Sequence, residues 1–482
     1  MGVLSKTLFS GVFYTAVAKY TGIVVSIIIS AILARLLPPE DFGVIAIATI
    51  FINFFSILTT VGISPAIVQN KSITEIELRS INTFTFLFAF VISLLYVSSI
   101  NIIVSFYDNN SDLTSVMRLL TISVFFSIAS ITPNAMIMKN KLFKFIAIRT
   151  FAIQIFLGII SVICAYSGLG IYSLLINPIG SSLILFVVSF LKNPVGFYKP
   201  TKDAINKILS FSVYQSLFNF VYLLYRNIDK IIVSKTFGLE PLGYYEKSYR
   251  LMMLPLENIS SVISPVLHPV LSDYQNEKEK VWTAYLKMIS TLSEVSFIIS
   301  VALFYMAGSI ILILYGENWR PSIPIFQILS LSIAFQVLQS PIGAVMQSIN
   351  KVKALFWGSV WILLFVTISI IFAVIGSQLV YVAIALDISF IMGFIVYQYY
   401  IARYFQKRIF EIFDSIKRPL IVSILFWCLC FFPSNYLATI NIWVQFGIYC
   451  FITLLVYYIS YVLGLMPNTK ELFCNAFSFK HK

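Results

Sequence analysis

Charge is what this chain of 482 residues has least of: 11% of it is Asp, Glu, Lys or Arg, while 59% is hydrophobic. A soluble globular domain carries about 25% charged residues, so too few are present to cover a water-facing surface. Histidine is nearly missing, with only His268 and His481, which makes a poor set for acid–base catalysis. Five cysteines (Cys164, Cys428, Cys430, Cys450, Cys474) stand in or just after apolar runs with no C-x-x-C spacing. That excludes the usual redox and zinc patterns, and no metal site is expected. The phosphate-cradling run G-x-x-x-x-G-K-[ST] is also missing, so a P-loop ATPase is excluded and no cofactor is expected.

What is present is oil in long runs. A bilayer-spanning helix needs about 20 apolar residues, and such runs lie at 8–37, 43–65, 82–106, 116–138, 146–167, 171–191, 210–237, 243–270, 284–314, 322–347, 354–375, 379–402, 416–433 and 442–465. They predict an all-α polytopic membrane protein with about fourteen transmembrane helices. Barrel strands alternate over only about ten residues, far shorter than these runs. "LFSGVFYTAVA", with Ala16-Val17-Ala18, looks like the core and cleavage site of a signal peptide. The repeat described below includes these residues, so they are assigned to the first structural helix.

The net charge of +13 need not mean nucleic acid. With the N-terminus inside, 24 of the 33 Lys and Arg residues fall in cytoplasmic segments, among them Lys139, Lys141, Lys144, Arg149, Lys192 and Lys207. Six sit at outer ends (Arg35, Arg118, Lys235, Lys247, Arg250, Arg320) and three, Lys19, Arg226 and Lys230, lie deep in spans. This is the positive-inside bias; it predicts a multi-pass membrane protein with both termini cytoplasmic.

"ILARLLPPEDFG" at 32–43 is echoed by "IVSKTFGLEPLG" at 232–243. An offset of 200 maps Ser10 onto Ser210, Tyr14 onto Tyr214, Glu40 onto Glu240 and Gly43 onto Gly243, and the two "ISP" triplets at 63–65 and 263–265 onto each other. Later, Pro133 pairs with Pro341, and Asn140-Lys141 with Asn350-Lys351. An even number of helices per copy gives both copies one orientation. The expected plan is two six-helix lobes in a parallel pseudo-twofold repeat, the substrate path between them, plus two C-terminal helices. The divisions are a lobe at 1–191, a cytoplasmic linker at 192–209, a lobe at 210–402, two further helices at 403–465 and a cytoplasmic tail at 466–482. The repeated phrase is first of all a corner: Arg35 snorkels outward, Pro38-Pro39 stop one helix, and Glu40-Asp41 suit the positive end of the next.

"ILARLLPPEDFGVIAIATIFINF", "GISPAIVQNKSITEIEL", "KNKLFKFIAIR" (139–149), "GLGIYSLL" (168–175) and residues 225–275 closely resemble bacterial polysaccharide-unit flippases. These form the O-antigen (lipopolysaccharide), capsule and exopolysaccharide branch of the multidrug/oligosaccharidyl-lipid/polysaccharide exporter superfamily. The resemblance covers residues 5–400. It implies two lobes around a central cavity lined by helices 1, 2, 7 and 8, and transfer of an undecaprenyl-pyrophosphate-linked oligosaccharide from the inner to the outer leaflet. Its partners would be that lipid-linked sugar, the bilayer, and the polymerase and glycosyltransferases of the same assembly line; no nucleic acid is expected.

Such a task needs cations for a diphosphate, and intramembrane charge costs at least about 2.5–3.5 kcal/mol per residue. The seventh span carries Arg226, Asp229 and Lys230, with Asn219 and Tyr222 on the same side by i, i+3, i+4, i+7 spacing. The eighth adds Glu246, Lys247, Arg250 and Glu257, and the first adds Lys19. Arg226, Lys230, Lys19, Arg250, Asn219 and Tyr222 are the candidate substrate contacts. Asp229, Glu246 and Glu257 would orient those cations or carry a coupling proton. Equally open is a set of ion pairs that only lock helices together. Glu294 and Asp387 are single acids, each either a protonation switch or a neutral acid bonded between helices. His268 reads as interfacial, as do the Tyr397, Tyr399, Tyr400 and Tyr404 and the Tyr457, Tyr458 and Tyr461 clusters. Two other functions stay in play. A multidrug antiporter would want acids and aromatics for organic cations, yet the deep spans hold at least as many cations. A membrane polymerase or glycosyltransferase would want a sizeable outer loop, and none is present.

Overall fold

The computed structural model describes residues 2–60, 63–70, 72–209, 213–273, 277–348, 351–437 and 439–469. Side chains are described for the same residues apart from 2–18, 57–60, 209, 213–216, 218, 261–273, 352 and 435. Ser210, Asn350, Cys474 and the end of the tail therefore lie outside the described residues, as do the side chains of Ser10, Tyr14, Tyr214, Pro265 and His268.

Every regular element among the described residues is helical. In lipid the backbone must satisfy its own hydrogen bonds, and long apolar runs do so as helices. The chain packs as two compact units: Met1–Leu223 with Gly238–Gly243, and Leu224–Phe237 with Tyr244–Lys482. The first unit contains α1 (Gly2–Leu36), α2 (Pro39–Thr60), α3 (Ile63–Gln69), α4 (Glu75–Ser105), α5 (Ser111–Ala129), α6 (Ile131–Lys139), α7 (Phe143–Tyr166), α8 (Ile176–Lys192), α9 (Lys202–Leu209) and most of α10 (Val213–Tyr225). The second contains α11 (Ile228–Phe237), most of α12 (Leu239–Asp273), α13 (Lys278–Leu314), α14 (Ser322–Gln339), α15 (Ile342–Ser348), α16 (Val352–Ile375), α17 (Leu379–Phe405), α18 (Ile409–Leu437) and α19 (Ile442–Val462).

Twelve helical stretches among the described residues are long and apolar enough to cross a membrane, so a count of fourteen is not reached. The two expected spans that fall short are the seventh and eighth. The seventh is broken at Arg226–Asn227 into α10 and α11, and α12 carries Glu240, Glu246, Lys247, Arg250 and Glu257.

The helical packing recurs in the two units. In the first, α1 packs on α7, α4 on α5, α5 on α8 and α7 on α8; in the second, α11 packs on α16, α13 on α14, α14 on α17 and α16 on α17. The helices α7 and α16 have the same length, 24 residues. α18 and α19 pack on α13, where Ile298, Val301, Ala302 and Met306 meet Val422, Phe426, Cys430, Tyr449 and Met466.

The corner forms as the sequence predicts. Pro39 opens α2, where a missing N–H costs nothing, and Glu40 and Asp41 occupy its first turn. Within the first unit this corner touches its own echo. A Cβ on Gly43 would lie 1.9 Å from the Leu239 carbonyl oxygen, and one on Gly243 would lie 2.0 Å from that of Pro39. The contacts are reciprocal at the offset of 200, and only glycine lets backbone approach backbone so closely.

Candidate functional site

The charged site grows out of the break between α10 and α11. At Asn227 the backbone tightens, its N–H donating to the Leu224 carbonyl three residues back at 3.1 Å. The helical face expected to run unbroken through the seventh span therefore stops at Arg226. α11 restarts with Asp229 in its first turn, where a carboxylate complements the helix N-terminus.

Four charges converge inside the second unit. Lys230 Nζ lies 2.7 Å from Glu246 Oε2 and 4.5 Å from the centroid of the Tyr249 ring. The Tyr249 hydroxyl accepts from Arg226 Nη1 at 3.1 Å, so one tyrosine touches both cations. Arg226 Nη1 also donates to Gln336 Oε1 at 3.0 Å and reaches Met253 Sδ at 3.4 Å. Its guanidinium lies 5.5 Å from the Phe390 ring, and Gln336 is fixed in turn by donating to Ser332 Oγ at 3.0 Å. Asp229 is fully buried. Its Oδ2 accepts from the Tyr245 hydroxyl at 2.6 Å, whereas its Oδ1 has no hydrogen-bond partner among the described residues.

Chemically, this is a balanced group of two cations and two carboxylates held by tyrosines and an amide. A planar guanidinium suits a phosphate bidentately. A buried carboxyl bonded at one oxygen can gain or lose a proton at the other.

The remaining candidates lie elsewhere. Lys19, half-buried on α1, and Asn219, half-buried on α10, belong to the first unit, as does the exposed Tyr222. Arg250 and Glu257 are exposed on α12. Lys247 is buried between the rings of Tyr315 and Trp319, at 5.0 and 5.8 Å.

Glu294 finds its partners beyond the last helix. Its carboxylate accepts from the Asn468 amide at 2.9 Å and the Thr469 backbone N–H at 2.9 Å. Asp387 is buried beside Ser332. Tyr397 corrects the interfacial reading: it faces α16, its hydroxyl 2.8 Å from Ser359 Oγ in a buried contact, while Tyr399 is exposed.

Sequence reasoning missed Tyr245, Tyr249 and Gln336. Tyr245 and Tyr249 flank Glu246 at helical spacing, and Gln336 is an amide inside an apolar span. Both were signals for partners of buried charge.

Three comparisons bear on the family. An uncharacterized membrane protein in the cps region of Klebsiella pneumoniae is 28% identical over 366 residues, covering 70% of this chain and 71% of that protein. The teichuronic acid biosynthesis protein TuaB of Bacillus subtilis (strain 168) is 25% identical over 433 residues, 88% of each chain. In fold, the chain is similar to lipid II flippase MurJ in an inward closed conformation, with a TM-score of 0.76 at 18% identity over 94% of this chain and 99% of that one. Residues 32–324, more than half of the sequence, match one family throughout, and the chain belongs to it: the polysaccharide biosynthesis proteins.

Proposed function

We propose that this protein is a flippase that moves an undecaprenyl-pyrophosphate-linked oligosaccharide repeat unit from the cytoplasmic to the outer leaflet of the inner membrane, for surface polysaccharide assembly. Transport proceeds by alternating access of a cationic cavity, with both termini cytoplasmic. The observation that carries this reading is the group of Arg226, Asp229, Lys230 and Glu246, set at a helix break in a fold shared with a lipid II flippase. Family membership supports the glycan side of it.

The physics of the task fits those residues. A polyprenyl tail can stay in lipid, but a sugar chain and a diphosphate cannot cross hydrocarbon unaided. Each intramembrane charge costs at least about 2.5–3.5 kcal/mol, so a cation kept there needs a use. Arg226 and Lys230, with Lys19 and Arg250, receive the diphosphate or an anionic sugar; Asn219 and Tyr222 bond hydroxyls. Asp229, Glu246 and Glu257 hold the cations in place between substrates or take the coupling proton. Nothing in this scheme breaks a covalent bond, and the chain acts as a transporter.

Two measurements test it. In cells depleted of the protein, lipid-linked repeat units should accumulate facing the cytoplasm. Their normal appearance at the outer leaflet would overturn the reading, and accumulation of an unextended intermediate would make the chain an enzyme. Arg226→Ala should abolish glycan export while membrane insertion persists; normal export would remove Arg226 from the site.

A further inference from the structure

We infer that the basic end of the first unit holds the phosphate of an anionic lipid headgroup on Arg149 and Lys192. The inference is independent of the transport reading, because neither residue belongs to the site on α10–α12.

Between Asp112 and Asp203 the chain has no acidic residue, yet it carries Arg118, Lys139, Lys141, Lys144, Arg149, Lys192, Lys199 and Lys202. Helices α6, α7 and α8 fall wholly inside that stretch. Arg149, only 8% exposed, sits where the three helices meet. Its Nη1 donates to Ser189 Oγ on α8 at 2.7 Å and its Nη2 to Asn134 Oδ1 on α6 at 3.0 Å. Both partners are neutral, and Nε has no hydrogen-bond partner among the described residues.

A second cation comes to the same place. The Arg149 guanidinium lies 5.6 Å from the centroid of the Phe145 ring, and Lys192 Nζ lies 5.5 Å from that same centroid. A buried charge is normally paired, and two like charges on one ring repel. The acids that bracket the stretch, Asp112 on α5 and Asp203 on α9, are exposed, and Glu75 and Glu77 pair with Arg79 and Lys207 at 2.5 and 2.6 Å. Among the described residues no carboxylate pairs with either cation, and an anion from outside the chain would neutralise both. Lys192 is exposed, which leaves the pair open to a ligand at the end of the helices, the level of lipid headgroups. A phosphate oxygen bridging Lys192 and the edge of the guanidinium would neutralise both charges with charge-assisted hydrogen bonds.

The test uses the full-length protein purified in detergent, mixed with phosphatidylglycerol or with phosphatidylcholine, and bound lipid counted by native mass spectrometry. Wild type should retain phosphatidylglycerol over phosphatidylcholine. Lys192→Gln should lower that retention about fivefold, the worth of one basic residue at an anionic surface, and Lys192→Arg should restore it. Arg149→Gln should do the same; should it fail to fold, by thermal unfolding, the exposed Lys192 pair decides. Inorganic pyrophosphate as competitor separates the sources. Displacement of phosphatidylglycerol by pyrophosphate but not by phosphate assigns the site to a diphosphate-linked lipid, and no displacement assigns it to a phospholipid. Equal retention of both lipids, or phosphatidylglycerol binding unmoved in Lys192→Gln, overturns the proposal.

Discussion

The corner at 39–43 and its echo at 239–243 share a glutamate, a glycine and a reciprocal backbone contact, yet their flanking helices carry opposite chemistry. At the same offset of 200, Arg226 corresponds to Ser26, Asp229 to Ile29, Lys230 to Ser30, Glu246 to Ala46, Lys247 to Ile47, Arg250 to Ile50 and Glu257 to Ile57. Each of these seven charges falls opposite a small or apolar residue in the first copy. In return, the first copy has Lys19 where the second has Asn219. The repeated phrase kept its turn and not its charge. One copy remained an unbroken helix, α1, of 35 residues; the other broke at Arg226–Asn227 and gathered a polar group. The copies differ again at one buried cation. Arg149 falls, by the equal lengths of α7 and α16, opposite Gly358.

The hardest test of that comparison acts on what the copies share. Gly43→Ala and Gly243→Ala each place a Cβ within about 2 Å of a backbone oxygen. Neither carbonyl belongs to a flexible side chain, so helices must part. Both variants should lose most of the folded protein in detergent, measured by thermal unfolding, and to a similar degree. A large asymmetry between them would break the equivalence of the corners.

Next comes what the copies do not share. Glu246→Gln strands Lys230 among Tyr249 and Asp229, at a cost of about 3–5 kcal/mol, the usual result of breaking a buried pair. The double variant Lys230→Met, Glu246→Leu removes both charges and should recover most of that stability. Export then separates two roles. If the pair only locks helices, the stable double variant exports normally; if Lys230 receives substrate, it is stable and inactive.

How much of this could be read in advance follows from the range of the interactions. The spans, the corner and the charge cluster are local patterns: about 20 apolar residues in a row, Pro38-Pro39 before Glu40-Asp41, cations three and four apart. The break at Asn227 was not legible, because the periodicity of 210–237 continues through it. The partners of the charges were less so. Tyr249 and Gln336 lie 23 and 110 positions from Arg226, and Glu294 finds Asn468 174 positions away. No sequence window joins such pairs; only packing does. Tyr397 failed for a related reason, since an aromatic cluster near a helix end gives no sign of which ring turns inward.

The smallest expected effect concerns the charges of the second copy that stay outside the group. Arg250 and Glu257 are exposed on α12 and make no ion pair among the described residues, so truncating either removes little that holds the fold. Surface changes of this kind shift stability by about 0.5 kcal/mol or less, and Arg250→Gln should unfold with wild type. Its export rate is the informative number. A fall in rate at unchanged stability makes Arg250 part of the path the substrate follows. Wild-type export takes Arg250 off that path and brings the contrast with the first copy closer to the four positions Arg226, Asp229, Lys230 and Glu246.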